Sequence, residues 1–299
     1  MLARRAPPTG VMLLAAVTVF WGISWPAMKI VLNEMPVLPF RAICCVAGGL
    51  GGLLLARLMG DPIRLPRREI PSMAAMALLN VTGWQIFMAY GLRALPAGHA
   101  SIIAYTMPAF ALLLSRIFLG ERLTTPRLWG LALSMAGLAV LVAPDIRNMR
   151  AAPMGTLFMV MASASWAGGT VGMKCFRWSL SVMQTTGWQF VLGGIPIVLA
   201  AIVERSAPGL GALSSIAWIC LIYVLMFPVL FCQWAWLKAV GTLPVSVSAM
   251  GTLAIPVVGA VSGALLLDEQ VTLAELVALG LVVAGLAVVA IRSPAAAEA

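Results

Sequence analysis

Residues Ala100–Glu121 read ASIIAYTMPAFALLLSRIFLGE. The run is apolar and about as long as one helical membrane crossing, for which roughly 20 residues suffice. Pro108 sits near its middle, and Leu119, Gly120 and Glu121 close it. The same device returns at Ser248–Glu269, SAMGTLAIPVVGAVSGALLLDE. There Pro256 is mid-run and Leu267, Asp268 and Glu269 close it. Proline and terminal glutamate are 13 residues apart in both, from 108 to 121 and from 256 to 269. One structural unit has been used twice.

The composition fits a membrane. Of the 299 residues, 62% are apolar and 10% charged, and mean hydropathy is +1.03. Soluble domains carry about 25% charged residues. The apolar runs are continuous and do not alternate, which excludes a transmembrane barrel. The fold class is therefore an all-α polytopic membrane protein. Ten spans are predicted, at 11–32, 38–58, 71–93, 98–119, 127–143, 154–176, 182–203, 214–237, 244–266 and 273–291. Arg4 and Arg5 before the first run resemble a signal peptide, but the run is too long and reads as a retained helix.

The net charge of +9 invites a nucleic-acid reading. The arginines flank spans, however, so the positive-inside bias accounts for them and no nucleic-acid partner is expected. With both termini in the cytoplasm, thirteen of the 19 Lys and Arg residues fall inside, among them Arg57, Arg64, Arg67 and Arg68. Six fall outside, including Lys29, Arg41 and Arg93. The five cysteines form no C-x-x-C pair, so no metal, disulfide or cofactor is expected. The expected partners are a small-molecule substrate and the lipid bilayer, and a monomer suffices.

The repeat extends beyond the opening motif. At an offset of 145, Trp21 falls on Trp166, Lys29 on Lys174, and Leu92-Arg93-Ala94 on Leu237-Lys238-Ala239. After three inserted residues the offset is 148, where Pro108 falls on Pro256 and Glu121 on Glu269. Residues 1–150 thus hold spans one to five and 151–299 hold spans six to ten. Five is odd, so the second unit enters the membrane from the opposite face. Two inverted five-helix repeats around a central cavity are expected, with a substrate site at their interface, the usual architecture of alternating-access transporters.

Ionisable groups within spans are functional candidates by default. All ten carboxylates lie in loops or near span ends. Lys29 and Lys174 occupy the last turns of spans one and six, as snorkelling residues or as gate charges. His99, the only histidine, opens span four. The aromatic residues are the stronger clue. Trp129, Trp178 and Trp218 suit interfacial belts. Trp21, Trp84, Tyr90, Tyr105, Trp166 and Trp234 fall within spans and are candidate walls of a pocket, with Gln85, His99 and Ser248 as polar contacts. Pro108 and Pro256 are candidate hinges: a mid-helix proline kinks its helix and frees a carbonyl, here that of Ala104 or Thr252. Gly48/Gly52, Gly168/Gly172 and Gly259/Gly263 are small-residue pairs that let helices approach. An intramembrane enzyme would need an acid/base pair or metal cluster; H-E-x-x-H, paired Asp and G-x-S-x-G do not occur.

Taken together, Trp21-Gly22 in span one, the proline and terminal L-G-E of span four, and the A-G-hydrophobic run of span five resemble the drug/metabolite transporter superfamily, in its ten-span EamA-type branch. The resemblance covers nearly the whole chain. It implies export across the bacterial inner membrane, and the aromatic amino acid exporters of that branch are the nearest match. It also implies that spans one, three, four, six, eight and nine surround the cavity. Small four-span relatives bind cation and proton on a glutamate in their first helix. Span one here has no acid, which points to facilitative transport of a cargo with balanced charges. Other cargo (threonine-like amino acids, drugs, nucleotide sugars) and proton-coupled efflux are the alternatives.

Overall fold

A computed structural model describes residues 8–120, 124–148, 153–205, 209–242 and 254–292. Among the described residues, ten helical stretches follow the ten predicted spans. They are α1 (Pro8–Glu34), α2 (Val37–Leu58), α3 (Ile70–Ala94), α4 (Ala97–Phe118), α5 (Thr125–Asn148), α6 (Pro153–Lys174), α7 (Val182–Val203), α8 (Ser215–Val224, Leu225–Phe231 and Cys232–Thr242 in succession), α9 (Ile255–Leu267) and α10 (Leu273–Arg292). Six of them, α1 to α4, α7 and the 215–236 part of α8, are long and apolar enough to span on those criteria alone, and shorter apolar stretches lie in α5, α9 and α10.

Helix ends follow local chemistry. Ser181 and Gln184 form a reciprocal capping box at the start of α7, and Thr272 and Glu275 exchange the same contacts at the start of α10. Leu119-Gly120 and Leu267-Asp268, from the closing motifs, end their helices. Gly120 and its repeat mate Asp268 both take the left-handed conformation, at φ 66° and 52°. Glycine does so freely, and aspartate is among the few other residues that tolerate it.

Packing follows a two-fold relation between the halves. α2 lies along α7, α5 along α10, and α4 against α9. The contacts of α3 with α6 recur as those of α8 with α1. Gly48, Gly49 and Gly52 allow a close approach of α2 to α7: a Cβ on Gly52 would stand 3.0 Å from the Gly187 Cα. Two polar contacts show the inversion residue by residue. Glu34, at the end of α1, accepts hydrogen bonds from Ser214 N and Oγ, both at 2.7 Å. Glu69, before α3, accepts from Ser179 N and Oγ, after α6. At the 145 offset Glu34 corresponds to Ser179 and Glu69 to Ser214. One contact is therefore the other with donor and acceptor exchanged between repeats.

The end of α1 meets the start of α8, and the end of α6 meets the start of α3. The first unit thus begins on the face where Lys174 lies, and the second on the face where Lys29 lies. Compartment reporters fused at residue 64 and residue 269 are expected to read opposite sides. Agreement between them would contradict the inversion.

Candidate functional site

Helices α1, α3, α4, α6, α8 and α9 pack on one another, and the pairs α2/α7 and α5/α10 pack mainly within themselves. Trp84 of α3 and Trp166 of α6 meet, with ring centroids 5.1 Å apart and planes tilted by 59°. One comes from each repeat. Tyr90 stands 5.7 Å from Phe158 of α6. Trp21 stands 6.0 Å from Trp236 and donates its Nε1–H to the Pro228 carbonyl at 3.3 Å. Trp234 packs against Phe231 at 5.9 Å. Trp21, Trp84, Tyr90 and Tyr105 belong to the main apolar core, whereas Trp234 shares a smaller cluster with Trp21 and Val17. Gln85 is buried and accepts a hydrogen bond from Arg41. Ser248 lies outside the described residues, as do Glu121 and Thr252.

Two features of the centre escape a reading of the sequence. Residues Leu78–Gly83 of α3 and Leu225–Phe231 of α8 are π-helical. At the 145 offset, 78–83 falls on 223–228, so the two overlap in the repeats. A π turn widens the backbone and leaves carbonyls without their usual partners, and such turns concentrate at functional sites. Here the carbonyls find partners from the first helix of the other repeat. Ser165 of α6 donates to Leu79 O at 2.7 Å, and Trp21 of α1 donates to Pro228 O.

The proline hinge also takes another form. Instead of kinking a continuous helix, Pro108 and Pro256 each sit second in a new helical segment, Met107–Phe118 and Ile255–Leu267. Proline is well tolerated there because its missing N–H is one that no helix would use. In α4 the first segment ends at Ala104. Its freed carbonyl is met by Ser163 of α6, whose Oγ lies 3.3 Å from Ala104 O, 3.1 Å from Ile103 O and 3.0 Å from Met159 O. The neighbours Tyr105, Thr106 and Ser101 do not supply that donor; Thr106 Oγ1 donates to Ile103 O instead. The mate of Ser163 is Thr18, which donates to Leu14 O at 2.9 Å just as Ser163 does to Met159 O. Ser163→Ala leaves the break in α4 without this donor. It is expected to lower stability by about 1 kcal/mol, read as a lower melting temperature in detergent, while Ser163→Thr retains most of it.

On the face bearing Lys29, a clasp holds the corner between α3 and α4. Lys29 Nζ donates to Leu92 O at 2.8 Å, to Arg93 O at 3.3 Å and to Leu95 O. It thereby caps the last turn of α3, where a cation is favoured. Glu269, following α9, accepts from Ala97 N at 2.7 Å and Gly98 N at 3.2 Å, at the N-terminus of α4. The α3–α4 corner is thus held from both sides, by one charge from each repeat. Lys174, the mate of Lys29, is exposed at the end of α6. His99 Nδ1 lies 3.5 Å from Glu275 Oε1, beside a small cleft lined by Gly98, Ala260, Glu269 and Glu275. Among the described residues no group of three or more His, Cys, Asp or Glu is placed to hold a metal.

Arg41 is the group that sequence reading missed. It is counted among the charges that set orientation, yet it lies in the first turns of α2 and is only 2% exposed.

Comparison with known proteins fits this architecture. A solved crystal structure superposes with a TM-score of 0.66 at 19% identity, covering 93% of this chain and 96% of its own, a likeness of fold. An uncharacterised Bacillus subtilis transporter, YvbV, is 29% identical over 95% of this chain and 92% of its own. A probable amino-acid metabolite efflux pump of Escherichia coli is 27% identical over 93% of each. The EamA-like transporter family matches twice, over residues 8–143 and 153–291. With one match on each inverted half, the chain is a membrane transporter belonging to the EamA-like transporter family.

Proposed function

We propose that this protein exports amino acids across the bacterial inner membrane, with aromatic ones preferred, by alternating access between the two repeats. The observation that carries the reading is the Trp84–Trp166 pair, in which each repeat contributes one ring to the centre. Flat apolar faces suit an aromatic side chain, and movement of one repeat against the other would part or join the two rings. The similarity to a probable amino-acid metabolite efflux pump supports the cargo class. Both termini lie in the cytoplasm in this reading, because the basic loop between α2 and α3 then faces inward. The Lys29 clasp closes the periplasmic side, and Lys174 lies toward the cytoplasm.

Transport is facilitative, since none of the ten carboxylates falls mid-span. The 3.5 Å approach of His99 to Glu275 favours a second reading, in which that pair exchanges protons with the cleft beside it. Cells preloaded with labelled phenylalanine separate the two. Facilitative export predicts faster efflux on expression of this protein, persisting after a protonophore collapses the pH gradient. Efflux that stops with the gradient supports the proton-coupled reading. No increase on expression contradicts the cargo.

A further inference from the structure

Arg41 is enclosed by three helices of the first repeat. Its Nη1 donates to Gln85 Oε1 of α3 at 3.1 Å. Its Nη2 faces two sulphurs, Met28 Sδ of α1 and Met88 Sδ of α3, each at 3.4 Å. The guanidinium carbon stands 4.5 Å over the ring of Phe40. The Nε–H has no acceptor among the described residues; the buried Cys44 thiol is a further weak partner of the guanidinium, and no described carboxylate pairs with it. A guanidinium carries five N–H donors and keeps its charge. Thioethers are weak acceptors and an aromatic face offsets only part of a desolvated charge. A buried cation without a counter-charge is among the least favourable arrangements a membrane interior can hold.

The position of Arg41 is informative. Gln85, its single strong acceptor, follows Trp84 in α3. Met28, one of its weak acceptors, precedes Lys29 of the clasp. In depth, Arg41 therefore lies between Trp84 and the Lys29 clasp, with its guanidinium in the gap between α1 and α3. Its repeat mate is Thr186, so the cation belongs to one half alone. Helix packing shared by both repeats would not require it. Methionine side chains are unbranched and adaptable, and can withdraw at little cost.

We propose that Arg41 receives the carboxylate of the amino acid cargo, which displaces the Met28 and Met88 thioethers from the guanidinium. This assignment rests on the reading of the protein as an amino acid exporter. A carboxylate matches the planar fork through two parallel hydrogen bonds, and supplies the missing counter-charge in the same step. The cargo ring then lies toward Trp84 and Trp166, with Gln85 between ring and carboxylate.

The test compares labelled L-phenylalanine with phenethylamine, its analogue lacking the carboxylate, as cargo for purified protein in liposomes. Wild-type protein is expected to carry phenylalanine and to prefer it. Arg41→Met is expected to lose roughly ten- to a hundredfold of phenylalanine flux, with phenethylamine flux unchanged, so that the preference disappears. Arg41→Lys keeps the charge and guards against failure to fold. It should retain folding while phenylalanine flux falls severalfold and phenethylamine flux holds. Equal losses for both cargoes would make Arg41 a structural residue, and an unchanged preference in either variant would also overturn the assignment. A wild-type protein that carries no phenylalanine overturns the reading beneath it and the assignment together. Normal wild-type flux with unaffected variants overturns the assignment alone.

Discussion

Lys29→Met is expected to release the clasped face and to cut net flux on the order of tenfold or more. Lys29 Nζ reaches three carbonyls at the end of α3, and Glu269 takes the two first amides of α4. These are charge-assisted hydrogen bonds, and each contributes roughly 1.5–3 kcal/mol when enclosed. An equilibrium between open and closed faces shifts tenfold for every 1.4 kcal/mol, so losing one side of the clasp changes the populations substantially. Glu269→Gln keeps the shape and removes the charge, and should act in the same direction with a smaller effect. A cysteine placed at Ile102, two helical turns or less from the clasp, serves as the reporter. Its labelling by an impermeant reagent from the Lys29 face should rise in both variants. Cys44, Cys45 and Cys232 are buried and Cys175 is exposed on the Lys174 face; Cys220, half-buried toward the Lys29 face, is replaced by serine in the background used, which confines the remaining signal to the other side. Unchanged labelling and unchanged flux in both variants would reduce the clasp to a helix cap.

Trp84→Ala and Trp166→Ala carry the second large effect. The rings touch at 5.1 Å across the repeat interface. Offset ring contacts contribute roughly 0.5–1.5 kcal/mol beyond burial. Each substitution is therefore expected to lower phenylalanine flux about three- to tenfold, with Phe at the same position restoring most of it. Threonine or alanine flux should change less, since neither cargo has a ring. Trp21→Ala is expected to act differently. Trp21 holds the Pro228 carbonyl of the α8 π segment, so its loss should slow all cargo alike. If the Trp84 and Trp166 variants transport phenylalanine normally while expression holds, the cargo ring binds elsewhere.

The spans were legible because each is a continuous apolar run, and every one has its helix where described. The two-fold relation was legible because Trp, Lys, Pro and Glu recur in register, which apolar residues alone would not establish. The L-G-E motif was visible as a repeated signal, but its physical meaning was not. Left-handed φ at Gly120 and Asp268, and the reach of Glu269 to the neighbouring helix, are tertiary facts.

Other features left no signal. The π turns at Leu78–Gly83 and Leu225–Phe231 share no residue pattern that separates them from α-helix: the first holds Asn80 and Thr82, and only the second contains proline. The proline break in α4 is stabilised by Ser163, 55 residues beyond Pro108 (163 less 108) and in the other repeat, so local neighbours misled. Arg41 did leave a signal. It lay within the boundaries drawn for span two, and counting it toward orientation concealed that a buried arginine there needs an account of its own. The polar pairs Glu34–Ser214 and Glu69–Ser179 were readable only in hindsight, because serine and glutamate exchange places between the repeats.

The central claim is that two inverted repeats move an aromatic amino acid across the membrane. Liposomes containing the purified protein, offered labelled tryptophan, phenylalanine, threonine and a nucleotide sugar in turn with no pH gradient imposed, test it most directly. The account predicts saturable flux of tryptophan and phenylalanine, slower threonine, and no nucleotide sugar above the protein-free background. Flux of the nucleotide sugar with neither aromatic amino acid carried would contradict it.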